Sequence, residues 1–320
     1  MKSFTVGQND AGQRLDRFVA KAVPLLPESL TQKYIRLKRI KVNGKGSRRD
    51  VRLEAGDLIQ MYVNDEFFEK PTEDNAYLRI ASPRLTVVYE DENIILCDKK
   101  AGVLCHSAGQ WDVDTLINNI KAYLYGKREW DPRAENSFAP SLCNRIDRNT
   151  AGIVIAAKNA AALRIMDEKI RLREIEKLYL AAVHGTMRPE SGTLTGYLFK
   201  DARENRVYVY DEPRKGALTA VTGYRTLARA GGDSLLECRL LTGRTHQIRA
   251  QLSHAGHPLL GDGKYGRDKD REGQQLCSYK LKFSFRTPAG ELEYLNGREF
   301  RAAWPDFAAR FFPEEASLRK

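Results

Sequence analysis

The chain has 320 residues, 42% of them hydrophobic and 30% charged, with a formal net charge of +11. That length buries a sizeable core and suits two domains, and the composition excludes disordered and fibrous classes. No apolar run reaches the roughly 18–20 residues of a membrane span, and the N-terminus lacks the apolar core of a signal peptide. Five scattered cysteines without C-x-x-C spacing suit a reducing cytoplasm, so neither a disulfide framework nor a zinc site is expected. The basic excess favours a polyanionic partner, because neutralised phosphates release counterions.

Residues 1–64 read as one unit. Leu15, Phe18, Val19 and Ala22 recur at helical spacing. A second helix is expected through Tyr34, Ile35 and Leu37, capped by Ser29 or Thr31. Ile40 to Lys45 predicts a strand entering an Asn43-Gly44 hairpin turn, and Gly56-Asp57 a turn into a closing strand over 58–63. Nine basic residues fall between Thr31 and Arg52, with Asp50 the lone acid. They form either a solvated face or a phosphate-contacting surface, and their clustering favours the second. Gln13 to Phe18, Tyr34-Ile35-Arg36, Val42-Asn43-Gly44 and Gly56-Asp57 resemble the small RNA-binding module of ribosomal protein S-four. That resemblance implies RNA contacts from Lys33, Arg36, Lys38, Arg39 and Lys45, reading shape and backbone more than sequence.

Residues 65–84, with Lys70-Pro71 and Ser82-Pro83, read as a linker. The main domain is expected over 85–305, and 306–320 as a peripheral tail. It opens on a β-hairpin of two apolar strands joined by the acidic turn Glu90-Asp91-Glu92. His106 could act as an acid or base, although a structural histidine is the commoner case.

Asn144 to Gly152 then runs into the apolar strand Ile153 to Ala157. Asp147 stands between Arg145 and Arg148, whose charges would hold its carboxyl ionised. The alternatives are a structural ion pair, or arginines free to bind phosphate. Lys177 to Val183 predicts a strand ending at Gly185, with Tyr179 either in the core or available for stacking and proton transfer. Thr242-Gly243 predicts a turn, and from Thr245 a helix with Ile248, Gln251 and Leu252 on one side, whose start could hold phosphate. His254 and His257 are separated by Gly256, which does not suit a helical metal site.

Taken in order, these segments resemble the RluA-type pseudouridine synthases. The matching stretches are Val88 to Asn93 with Lys99-Lys100-Ala101-Gly102, Arg145 to Gly152, Tyr179-Leu180-Ala181, Thr242 to Arg249, and Gly256-His257-Pro258 with Gly261-Asp262 and Tyr265-Gly266. The resemblance implies an α+β fold with a mixed, largely antiparallel central sheet and flanking helices. It implies an enzyme that detaches uracil from ribose, rotates it and rejoins it through carbon 5, with no cofactor. Asp147 would be the essential carboxylate, either adding to the sugar or removing a ribose proton. Arg249 would pair with it, and Tyr179 would pack on the base and serve proton transfer. Arg145 would fill the space of the flipped base, and Arg148, Thr150, Arg244, His246 and Gln247 would contact RNA. Residues around Ile153 and Leu276 to Tyr279 would wall the pocket. Asn144, Ile146 and Ala151 depart from the family's usual His, Leu and Ser, which bears on target choice more than on chemistry. Large-subunit ribosomal RNA is the expected substrate and tRNA the close alternative. A vestigial RNA-binding assembly factor and an N-glycosidase are the competing classes. A monomer is expected.

Overall fold

The computed structural model describes residues 1–68, 75–107, 112–266 and 273–313. In chain order, the first part contains β1 (Lys2–Thr5), α1 (Leu15–Ala22), α2 (Glu28–Arg36), β2 (Ile40–Val42), β3 (Lys45–Gly46) and β4 (Leu58–Met61). Its strands form a four-stranded sheet in the order β1-β4-β2-β3. Leu15, Phe18 and Val19 of α1 bury their apolar stripe against Ile40, Ile59 and Met61. Asn43 and Gly44 both have positive φ, 51° and 75°, as the tight hairpin turn requires. Asn43 also pins that turn, donating to Asp57 and accepting from the Leu58 amide at 2.8 Å.

Two expectations for this part are corrected. Pro27, at φ −58°, is the cap of α2, so Ser29 and Thr31 lie inside the helix, and Thr31 is buried. The fixed φ of proline starts the helix earlier than a hydroxyl cap would. Strand β1, which pairs Lys2 with Met61 and Thr5 with Leu58, was not expected. Four residues are too few to display an alternation.

The second part contains β5 (Val87–Glu90), β6 (Ile94–Lys99), α3 (Leu116–Gly126), β7 (Ser141–Leu142), β8 (Ala151–Ala157), α4 (Ala160–Arg171) and β9 (Ile175–Val183). It continues with β10 (Ser191–Asp201), β11 (Arg206–Tyr210), β12 (Leu218–Ala230), β13 (Asp233–Leu240), α5 (Gln247–His254), β14 (Leu276–Phe283), β15 (Glu299–Arg301) and α6 (Asp306–Phe311). The described strands form one sheet ordered β11-β10-β12-β13-β9-β14-β8-β6-β5, with β15 on β14 and β7 on β8. Every pairing is antiparallel except β8 with β14. This is the expected α+β class with flanking helices.

Alternation along β8 divides the core. Ile153 and Ile155 face α4, where they meet Ala162 and Met166. Val154 and Ala156 face the opposite side with Tyr179, Ile248 and Leu252. The parallel β8–β14 contact is close because residue 152 is glycine. Gly152 has φ +112°, and a β-carbon there would stand 2.2 Å from the Ser278 carbonyl oxygen. That contact fixes where β8 begins, and therefore where the Asp147 loop ends.

Residues 306–312 are not a loose tail. Helix α6 buries Phe307 and Ala308, with Phe312 beyond it, against Leu178, Leu180 and Tyr279. Part of the expected linker is likewise packed: Tyr77 is buried, edge-on to Trp130 at 5.2 Å and Tyr125 at 5.6 Å. Lys70-Pro71 lies outside the described residues. The two sheets are joined by polar contacts around buried Asp10, which accepts from Asn136 and Ser137, while Asn9 bonds Glu135 and the Ala160 amide.

Candidate active site

Asp147 lies in the loop between β7 and β8, and its backbone is held on all sides. Its carbonyl accepts from the Thr150 amide at 3.1 Å. Asn144 closes the loop's start by accepting from the Ile155 amide at 2.8 Å. Arg148 and Gly102 exchange bonds, Gly102 donating its amide to the Arg148 carbonyl and Arg148 its Nε to the Gly102 carbonyl. Beneath them Lys99, 2% exposed, donates from Nζ to the carbonyls of Lys100, Val103 and Arg148 at 2.8–3.0 Å. Burial brings the Lys99 ammonium down to about 8. Three donors to three carbonyls tie the β6 end to the Asp147 loop.

The carboxylate itself meets Arg249, which α5 projects from the facing side. Arg249 Nη1 donates to Asp147 Oδ2 at 3.0 Å, the pairing expected of it. Its other edge is a bidentate bond to Asp262, Nε to Oδ2 at 2.8 Å and Nη2 to Oδ1 at 2.9 Å. Asp262 also accepts from the amides of Lys264 and Tyr265. Burial alone would raise the Asp262 carboxyl, but the Arg249 guanidinium and these amides hold it below its ordinary value. The same pairing raises Arg249 against its own burial. Arg249 is thus spent mainly on Asp262 and reaches Asp147 with one nitrogen. Among the described residues Asp147 Oδ1 accepts no hydrogen bond, and the carboxylate lines a cavity of about 850 Å³.

Three further groups shape that cavity. Tyr179 of β9 forms part of its wall, and burial, with the Asp147 charge adding to it, pushes the phenol above its ordinary value. It therefore keeps its proton near neutral pH. His246 precedes α5 in the left-handed region, φ 51°. Its Nδ1 is 2.8 Å from the Tyr265 hydroxyl, whose oxygen accepts from the Val207 amide. Its Nε2 lies 3.9 Å from Asp147 Oδ2. Burial lowers the His246 pKa, although Asp147 opposes this. Ile146, Ile248 and Leu276 supply apolar wall.

Several expectations are revised here. Ile153 and Tyr279 do not line the cavity, because strand alternation turns them to the clusters behind the sheet. Thr150 is 2% exposed, its hydroxyl accepts from Gln274, and it lines the cavity. Gln247 is buried too, bonded to Thr242, Thr222, the Arg244 amide and the Val221 carbonyl. Both brace the site through these bonds, and both line the cavity. Arg145, Arg148 and Arg244 are exposed around the cavity, and His106 is exposed beside them. Lys33, Arg36, Lys38, Arg39 and Lys45 are exposed on the N-terminal part, and none lines this cavity. His254 pairs with Asp211 and His257 with the His184 carbonyl, so the two rings do not converge. Helix α5 begins at Gln247, two residues later than expected. The roles of Asp262, Tyr265 and Lys99 were missed, although each sits inside a motif segment.

The acid–arginine pair thus sits in a cleft rimmed by the exposed cations Arg145, Arg148 and Arg244. A family model described as RNA pseudouridylate synthase matches residues 93–254. The chain is 32% identical over 288 residues to an uncharacterized RNA pseudouridine synthase of Mycoplasma genitalium, covering 88% of each chain. It is 28% identical over 274 residues to ribosomal large subunit pseudouridine synthase C of Escherichia coli, covering 85% of this chain and 82% of that one. The structure of human RNA pseudouridylate synthase domain containing 4 shares the fold, with TM-score 0.53 and 22% identity over 69% of this chain and 89% of that one. The chain belongs to the RNA pseudouridylate synthase family. It is a pseudouridine synthase, and RNA is its substrate class.

Proposed function

We propose that this enzyme isomerises specific uridines of large-subunit ribosomal RNA, with Asp147 as the essential carboxylate. The observation that carries the assignment is the one-sided restraint on Asp147. Arg249 holds Oδ2, and among the described residues Oδ1 accepts no hydrogen bond at the cavity wall. A carboxylate meant only for an ion pair would take the bidentate edge of the guanidinium. Here Asp262 takes it.

In this reading the target uridine leaves its stack, at a cost of a few kcal/mol, and Arg145 at the cavity mouth occupies the vacated space. Asp147 acts on the ribose while the bond from the sugar to N1 breaks. The uracil turns against Tyr179, a bond from the sugar to C5 forms, and the C5 proton leaves with N1 finally protonated. Tyr179, neutral at pH 7, is the group placed to relay that proton. The product is an isomer, so no cofactor or energy source is called for. Residues 1–64 serve as an S-four-like RNA-binding unit, with Lys33, Arg36, Lys38, Arg39 and Lys45 on phosphates.

The large-subunit substrate is supported by the name of the Escherichia coli relative and by the basic N-terminal face. Pseudouridine mapping of total RNA tests it, in a deletion strain complemented with wild type or Asp147→Asn. One or a few large-subunit sites present only with wild type are expected. Differences confined to tRNA would overturn the substrate, and no difference would overturn the role of Asp147.

A further inference from the structure

One cation on the cavity wall takes no part in the chemistry above. Strand β9 places alternate residues on one side, and Ile175, Lys177 and Tyr179 all line the cavity. Leu178 and Leu180 turn to the opposite core. Lys177 therefore stands about 6–7 Å along the strand from Tyr179, comparable to one backbone step of an extended polynucleotide. Among the described residues its ammonium has no carboxylate partner, because the neighbouring Glu176 is paired with Arg239 at 3.2 Å. Burial is the single influence on it, and lowers its pKa from the ordinary lysine value.

A desolvated, unpaired ammonium costs stability, so the position is better suited to an anion than to the free protein. The cavity of about 850 Å³ that Lys177 lines leaves room for one. Beside Lys177 is the Thr242-Gly243-Arg244 turn: a β-carbon on Gly243 would stand 4.0 Å from Lys177 Nζ, so the ammonium rests against the turn and both face the same cavity. The missing side chain leaves the Lys177 ammonium uncovered on that side. Arg244 lines the same cavity, tethered through Nε to the Thr219 carbonyl with its outer guanidinium edge exposed.

We propose that Lys177, with Arg244 of the adjoining turn, binds a phosphodiester of the substrate strand adjacent to the flipped uridine. This rests on the large-subunit reading above. It makes Lys177 a binding residue that positions the strand, not a group acting on the uracil.

The test uses an unmodified large-subunit rRNA transcript and the full-length protein carrying Lys177→Met or Lys177→Arg. For Lys177→Met the expected result is weaker binding and a salt slope of log affinity shallower by about 0.7–0.9, the loss of one phosphate contact. At saturating RNA the turnover of Lys177→Met should stay within about threefold of wild type, and Tm should hold or rise because an unpaired buried charge is gone. Lys177→Arg should retain the wild-type slope. An unchanged slope in Lys177→Met, a lowered Tm, or a loss confined to turnover would each overturn the proposal. Asp147→Asn runs as the control. If it still forms pseudouridine, the catalytic reading fails, and that outcome is separate from any change in the Lys177 slope.

Discussion

Replacing Asp262 by Asn tests whether the restraint on Arg249 organises the site. The Asp262 side chain is fully buried and that of Arg249 only 10% exposed, so solvent offers little compensation. Removing one partner of a buried pair costs about 3–5 kcal/mol. Asn keeps one acceptor for the Lys264 and Tyr265 amides, and Arg249 keeps Asp147, so the lower end applies, about 3 kcal/mol. For a unit the size of the main sheet that is a fall of about 6–12 °C in Tm. Freed from Asp262, Arg249 should turn its bidentate edge onto Asp147, occupying Oδ1 and lowering turnover at least about tenfold, near 1.4 kcal/mol. The pH dependence has a definite sign. Asp262 is held below 3.8, so its stabilisation is complete above that value and is lost as pH falls through the lower folded one. Melts of wild type and Asp262→Asn should therefore differ fully at pH 7 and converge in acid. A Tm change under about 2 °C with turnover intact would refute the reasoning.

Other perturbations follow from the same geometry. Gly152→Ala should destabilise by more than about 3 kcal/mol, because its β-carbon would meet the Ser278 carbonyl oxygen at 2.2 Å from a positive φ; a wild-type melt would contradict the account of how β8 is placed. His246 has its pKa lowered by burial, so its stabilisation is present above 6.5 and lost as pH falls through the folded value. The Tm of His246→Gln should accordingly fall less than that of wild type between pH 7 and 5, and equal slopes would count against a buried neutral imidazole. Changing Lys33, Arg36, Lys38, Arg39 and Lys45 together to Gln should weaken rRNA transcript binding and flatten its salt slope by up to about 4. Unchanged binding and slope would remove the RNA-contacting role from that face.

Much of the architecture was legible because local rules agreed with the tertiary outcome. Asn43-Gly44 specified a turn that only positive φ can make, and the apolar runs of β6, β8 and β9 specified buried strands. The Asp147 segment stood out by its charge pattern, and the pairing of residue 249 with residue 147, 102 positions away, came from family resemblance rather than from local physics. What escaped was burial of polar side chains. Thr150 and Gln247 sit in the same motifs as exposed arginines, and only the packed structure shows their side-chain bonds to Gln274 and Thr222. The role of Asp262 was hidden for the converse reason: a guanidinium has donors enough for two carboxylates, and no local pattern shows that Arg249 serves both. Helix α6 was not legible in the expected tail because the burial of Phe307 and Phe312 depends on a surface built from β9 and β14.

The most direct test of the central claim is single-turnover pseudouridine formation by purified wild type and Asp147→Asn on a large-subunit rRNA transcript, with binding measured alongside. The account predicts modification by wild type at one or a few positions, and none by Asp147→Asn at matched RNA affinity. Equal modification by both proteins would contradict it.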